Sequence, residues 1–137
     1  MSAPRYPVDA KVWIERAQED LKWVRHAFEG GFFQQACFGC QQAVEKALKS
    51  LLFAYDQPLS RTHSLPGLVD LCEPFDQDIR DFSDTAAILD EYYAPARYPD
   101  AAQVDFTEGR ARDAIALAER FVEFLRTRVE ARLREPN

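Results

Sequence analysis

Turn-forming and flexible residues are scarce in this 137-residue chain, which has 5 glycines, 8 prolines and 1 methionine. That scarcity excludes collagen-like repeats and low-complexity tracts, and 47% hydrophobic with 12% aromatic residues supply ample material for a packed core. Long apolar runs are missing as well. The longest, such as residues 51–55, fall well short of the roughly 20 residues a bilayer helix needs, and the opening MSAPRYPVDA has no apolar signal-peptide segment. No membrane span and a cytoplasmic location are therefore expected. Positive charge is in deficit, with 17 basic against 23 acidic side chains and a net charge of -6. A broad basic surface for sequence-independent DNA binding is thus not expected, although local basic patches are compatible with these numbers. Three cysteines, an odd count without a secretion signal, argue against a disulfide framework. With only His26 and His63 present, no nucleophile arrangement of the Ser/His/Asp or Cys/His kind stands out, and Gly30-Gly31 is a turn without the flanking pattern of a phosphate loop.

What is present is helical periodicity. Ala10, Val12, Trp13, Ile14, Ala17, Leu21, Val24 and Phe28 recur at mostly three- and four-residue intervals, predicting a helix over 9–28 with Asp9 as N-cap and Gly30-Gly31 as its stop. A second helix is expected over about 32–55. Its apolar positions, among them Phe33, Ala36, Cys37, Cys40, Val44, Leu48 and Leu52, cover about half of the circumference, as in the central helix of a bundle. Ser64 caps a short third helix with Pro66 in its first turn, ending near Cys72 to Pro74. Phe75, Ile79, Phe82, Ala86, Leu89 and Tyr93 form a narrow stripe for a fourth, which Pro95 ends. A loop at 94–106 precedes a last helix capped by Thr107 and lined by Ala111, Ala114, Ile115, Ala118, Phe121, Val122, Leu125, Val129 and Leu133. The expectation is a single domain over 1–137, with its core at about 9–133. Its fold class is all-α, an up-and-down bundle of four long helices and one short one.

Several residues stand apart from that pattern. Cys37-Phe38-Gly39-Cys40 has C-x-x-C spacing, but both thiols fall in the apolar arc; a redox pair would sit at a helix start beside strands, and zinc would have to recruit Cys72 and His63. Buried small side chains, and no metal, are the expectation. Gln42, Glu45, Lys46 and Lys49 share one stripe of the second helix, either as a solvated face with a Glu45–Lys49 pair or as a functional surface. Gln41 lies inside the apolar arc and needs hydrogen-bond partners if buried. Trp23, on the charged face of the first helix, either caps a local groove or sits in a subunit interface; a homodimer is expected, with Trp23 or the off-stripe Ile88 and Tyr92 covered by the second subunit.

Three motifs occur in order: Cys40-Gln41-Gln42-Ala43-Val44-Glu45-Lys46-Ala47-Leu48-Lys49-Ser50-Leu51-Leu52, then Thr62-His63-Ser64-Leu65, then Tyr92-Tyr93 with Arg97-Tyr98-Pro99-Asp100. Together they resemble the HEPN domain family across about residues 12–129. The resemblance implies a bundle of four to five helices, usually paired as homodimers. It also implies one of two functions. Ribonuclease members of the family carry an Arg followed by four to six residues and His, and act without metal. Arg97 matches the arginine, but Ala102, Gln103 and Val104 stand where the histidine would be, while Arg25-His26 and Arg61-Thr62-His63 have the wrong spacing. The other branch accompanies small nucleotidyltransferases, in toxin–antitoxin pairs or two-component enzymes, and this chain resembles it more closely. A non-catalytic, nucleotide- or RNA-binding partner subunit without cofactor is therefore expected, with Lys46, Lys49, Arg61, His63 and Arg97 meeting phosphate and Tyr93 or Tyr98 offering a stacking surface. The alternative is a divergent metal-independent ribonuclease in which Arg97 stabilises the phosphorane and Asp100 or Asp105 replaces the missing histidine; a carboxylate is a weak base unless burial raises its pKa.

Overall fold

The computed structural model describes residues 5–93 and 104–135. Its elements are α1 (Pro7–Glu29), α2 (Phe33–Ala54), α3 (Leu65–Cys72), a 3-10 helix (Gln77–Phe82), α4 (Ser83–Asp90) and α5 (Glu108–Leu133). The fold class is all-helical as expected, and no strand occurs among the described residues. No helix among them is long and apolar enough to cross a membrane.

Three long helices carry the bundle, with α2 in the middle. Sixteen of its 22 residues are buried, because α1, α3 and α5 all pack against it and leave little of its circumference to water. It approaches α1 tightly at Gly39, where a Cβ would stand 2.5 Å from Cγ2 of the buried Val24. The expected caps are made: Ser64 Oγ accepts from Gly67 N–H and Thr107 Oγ1 from Arg110 N–H, each at 3.1 Å. Asp9 is not the first cap. Tyr6 holds that position and Pro7 opens α1, where its missing N–H leaves nothing unpaired, so Asp9 falls in the first turn.

The fourth helix differs from the sequence-based expectation. Instead of one long helix, the stretch is a six-residue 3-10 helix followed by the eight-residue α4. Asp76 is the reason. Its carboxylate accepts the Asp78 N–H at 3.2 Å and so starts a tight turn, while Arg128 of α5 clamps Asp76 at 3.1 Å and Asp78 at 2.9 Å. Tyr92 also differs from expectation. It is only 3% exposed because its own chain covers it, with the Phe106 ring 6.0 Å away. Trp23 and Ile88 do remain exposed.

All three cysteines are free and buried. Burial pushes the Cys37 thiol up to about 11 and the Cys72 thiol up to about 12, and it raises Cys40 as well. Thiols in an unfolded chain titrate near 8.5. Above that pH the unfolded state has released protons that the folded state still holds, so stability falls as pH rises. The contribution is whole below about pH 8 and is lost between about pH 9 and 12. Urea midpoints should be flat from about pH 7 to 8 and decline above 9, and replacing the three cysteines by alanine should flatten the decline. An equally steep decline in that variant would show that the thiols are not its source.

Candidate functional site

The site grows from one face of α2. Gln41, Glu45 and Lys49 recur every four residues and so form a ladder along the helix, and segment 57–64, which joins α2 to α3, lies against it. Glu45 and Lys49 are consequently 7% and 5% exposed, not part of a solvated stripe. Lys49 Nζ sits 3.0 Å from Glu45 Oε2 and 5.9 Å from the centre of the Trp13 ring of α1, a cation–π contact that offsets part of the cost of burying an ammonium. Gln41 is fully buried and its polar atoms are satisfied: Nε2 donates to the His63 carbonyl at 3.2 Å and to Glu45 Oε1 at 3.5 Å, and Oε1 accepts from Gln42 Nε2 at 2.6 Å.

This ladder holds His63. Its Nδ1 lies 3.2 Å and 3.3 Å from the two Glu45 oxygens, and its ring stacks on Tyr93 with centroids 5.3 Å apart and planes 15° apart. Tyr93 in turn meets Phe38 at 6.3 Å. A carboxylate at Nδ1 selects the tautomer with the proton there, so Nε2 is an acceptor in the neutral ring and donates to an anion only when the ring is protonated. The His63 side chain is about half exposed, at 51%. Because Lys49 already balances Glu45, a protonated His63 adds a net positive charge to the turn, and the exposed Arg61 lies two residues away. The backbone of α3 offers an anion nothing in its first turn. Leu65 N–H donates to Asp90 at 2.9 Å, Gly67 N–H to Ser64, and Pro66 has no N–H.

Of the site residues expected from the sequence, the structure thus gathers Lys49, His63 and Tyr93 around Glu45. Lys49 is inside, paired and remote from bulk water, so it acts on the site through Glu45. Lys46 turns to α1, where it pairs with Asp20 at 2.5 Å. Arg97 and Tyr98 lie outside the described residues, as does Asp100. Glu45 and Gln41 are the members that the sequence reading left without a role. The available signal was Gln41 itself, a polar side chain in an apolar arc four residues before Glu45. No group of His, Cys, Asp and Glu among the described residues could hold a metal ion.

Grooves also lie elsewhere among the described residues. One, of about 650 Å³, runs between α4 and α5 and includes Ile88, Tyr92, Asp113, Leu117 and Arg120. Another, of about 620 Å³, is at the α1–α2 turn beside Trp23, His26 and Phe32.

With the geometry established, comparison with known proteins identifies the family. The HEPN domain model matches residues 10–128. The chain belongs to the HEPN domain family. Solved structures agree in sequence and in fold. TT1696 from Thermus thermophilus is 34% identical over 87% of this chain and 97% of its own, with a TM-score of 0.78. ST0689, an archaeal HEPN homologue, is 32% identical over 88% and 97%, with a TM-score of 0.72. The HEPN domain protein TM0613 from Thermotoga maritima is 26% identical over 88% and 92%, with a TM-score of 0.58. A search of curated proteins returns no match. Within this HEPN domain, the Thr62-His63-Ser64-Leu65 motif and the α2 motif meet at the Glu45–His63 contact.

Proposed function

We propose that this HEPN domain is a non-catalytic subunit that binds nucleotide or RNA, and that Arg61 and His63 meet the phosphate. The observation that carries the reading is the Glu45–His63 contact, in which a buried, charge-balanced carboxylate fixes an imidazole that is about half exposed. Phosphate recognition favours such an arrangement, because the ring is already oriented and the Arg61 guanidinium gives charge-assisted hydrogen bonds. Tyr93 then serves as the backing of His63, and Tyr98 and Arg97 are the loop residues that would complete the contact with base and phosphate. Lys49 contributes by holding Glu45. Lys46, on the same helix, is held in its pair with Asp20 of α1.

Calorimetry with ATP, GTP and a short single-stranded RNA tests this. At least one ligand should bind at sub-millimolar concentration, and Arg61→Ala and His63→Ala should each weaken it by about tenfold, the loss of one charge-assisted contact. Absence of heat at millimolar ligand, or undiminished binding in both variants, refutes the reading. In this proposal the domain works as a homodimer beside a small nucleotidyltransferase, as one member of a toxin–antitoxin pair or a two-component enzyme. The neighbouring gene and a co-expressed complex that survives gel filtration are the tests of that part. The ribonuclease alternative finds no added support, since Asp105 is exposed and Asp100 lies outside the described residues.

A further inference from the structure

Trp23 and Phe32 are both more than half exposed, at 62% and 60%, and both line the groove at the α1–α2 turn together with His26, Glu29 and Gln35. The turn that sets them is a Schellman motif: Gly31, at φ 82°, donates its N–H to the Phe28 carbonyl at 3.0 Å, and Phe32 donates to the Ala27 carbonyl at 2.9 Å. A Cβ on Gly30 would stand 3.0 Å from the Phe32 ring, so that ring lies directly on the turn. Trp23 has the His26 ring 6.1 Å away. A hydrogen-bonded backbone thus holds aromatic surface out to water, where a patch of this kind marks a contact site.

The charge of the groove is negative. Glu29 is exposed and ends α1, at the pole of the helix dipole that favours cations and disfavours a carboxylate. Among the described residues it makes no ion pair. The cations around it are engaged: Arg25 feels Glu29 but is bonded twice to Glu119, at 2.8 and 2.5 Å, Lys22 pairs with Glu19 at 3.6 Å, and Arg112, over the Phe28 ring, pairs with Glu108 at 3.4 Å. His26 is the other ionisable lining residue, and in its neutral form it adds a ring and no charge. Aromatic faces, a carboxylate and a helix C-terminus all attract a cation. Guanidinium suits them better than ammonium, because it is planar, stacks on rings, is weakly hydrated and meets a carboxylate with two parallel N–H donors. We propose that the α1–α2 groove is a docking site for an arginine side chain of a partner protein, with the guanidinium against Trp23 and Phe32 and bonded to Glu29. Tryptophan and arginine are the side chains that dominate protein–protein contacts. Val8 and Val12, exposed on the same face of α1 as Trp23 among Glu15, Arg16 and Glu19, give apolar surface for the residues that flank the arginine. The proposal is independent of the phosphate site, since its ligand is a cation.

Proton–nitrogen NMR of the indole N–H groups of the full chain tests the proposal, in a titration at about pH 8, where imidazoles are ordinarily neutral, with an acetylated and amidated tripeptide Leu-Arg-Leu. The Trp23 signal should shift with saturation in about the millimolar range, while that of Trp13, partly buried beside Lys49, stays unmoved. The Leu-Lys-Leu counterpart should bind at least about threefold more weakly, and Glu29→Gln should weaken the arginine peptide by about five- to tenfold. Trp23→Ala, followed through the Gln35 side-chain amide, should remove binding. Absence of a saturable Trp23 shift up to about 10 mM peptide overturns the site, as does undiminished binding in Glu29→Gln, and equal affinity for the lysine peptide overturns the choice of guanidinium. A Trp23 signal that moves on dilution of the protein alone shows a second copy in the groove, and arginine amide that binds as tightly as the tripeptide shows a small-molecule site; either result overturns the partner protein as occupant.

Discussion

Glu45→Ala is expected to lower the unfolding free energy by about 3–5 kcal/mol, the range seen when one partner of a buried ion pair is removed. The reason is what remains. The Lys49 ammonium, 5% exposed, keeps the Trp13 ring as its favourable neighbour among the described residues once its carboxylate at 3.0 Å is gone. His63 Nδ1 and Gln41 Nε2 lose an acceptor at the same time. Lys49→Ala should cost a similar amount by stranding the carboxylate. Replacing the pair together, as Glu45→Leu/Lys49→Met, should be close to neutral or stabilising, because no charge is then left buried. Urea denaturation of the four proteins measures this. Single variants within about 1 kcal/mol of wild type would show that water reaches the pair in solution. The double variant has a second use: it should be folded yet bind nucleotide poorly, since His63 no longer has the carboxylate that orients it.

Phe121→Ala is expected to cost about 3–5 kcal/mol, in the range for truncating a buried aromatic. Phe121 is fully buried on α5, and its ring stacks on Phe82 with centroids 4.6 Å apart and planes 7° apart. Phe82 ends the 3-10 helix, so this contact and the Arg128 clamp fasten that element to the bundle. A cavity at Phe121 should therefore loosen 77–90 more than α1 and α2. Thermal melts give the size of the loss, and amide hydrogen exchange gives its location. A double-mutant cycle of Phe82→Leu with Phe121→Leu should return a coupling of about 0.5–1.5 kcal/mol. Uniform loss of protection across all helices would contradict the local role.

The helices other than the fourth were legible because their apolar faces are continuous and their ends carry conventional signals: Ser64 and Thr107 at the starts of α3 and α5, and Gly30-Gly31 after α1. The fourth helix was not, since the stripe from Phe75 to Tyr93 has helical period whether or not the backbone follows it. The Asp76 turn and the Arg128 clamp, the latter from 52 residues away, decide otherwise. The site was half legible for a related reason. A helical wheel shows that Glu45 and Lys49 share a face but not that segment 57–64 lies over that face, which is what turns an exposed pair into a buried one. Gln41 was the clue that something polar was covered there. Tyr92 misled as an apparent interface residue because α5 and Phe106 cover it within its own chain.

The central claim is that Glu45 fixes His63 so that its Nε2, with Arg61, meets a phosphate. Nitrogen-15 NMR of the histidine rings, recorded on the intact protein during an ATP titration, tests it most directly. The claim predicts that free His63 carries its proton on Nδ1, that Nε2 of His63 shifts with saturation toward the protonated form when ATP binds, because it must carry a proton to donate to phosphate, while His26 stays unmoved, and that Glu45→Leu/Lys49→Met abolishes both the tautomer preference and the shift. A free His63 ring with its proton on Nε2 alone, or saturable binding of ATP that leaves the His63 nitrogens unchanged, would contradict it.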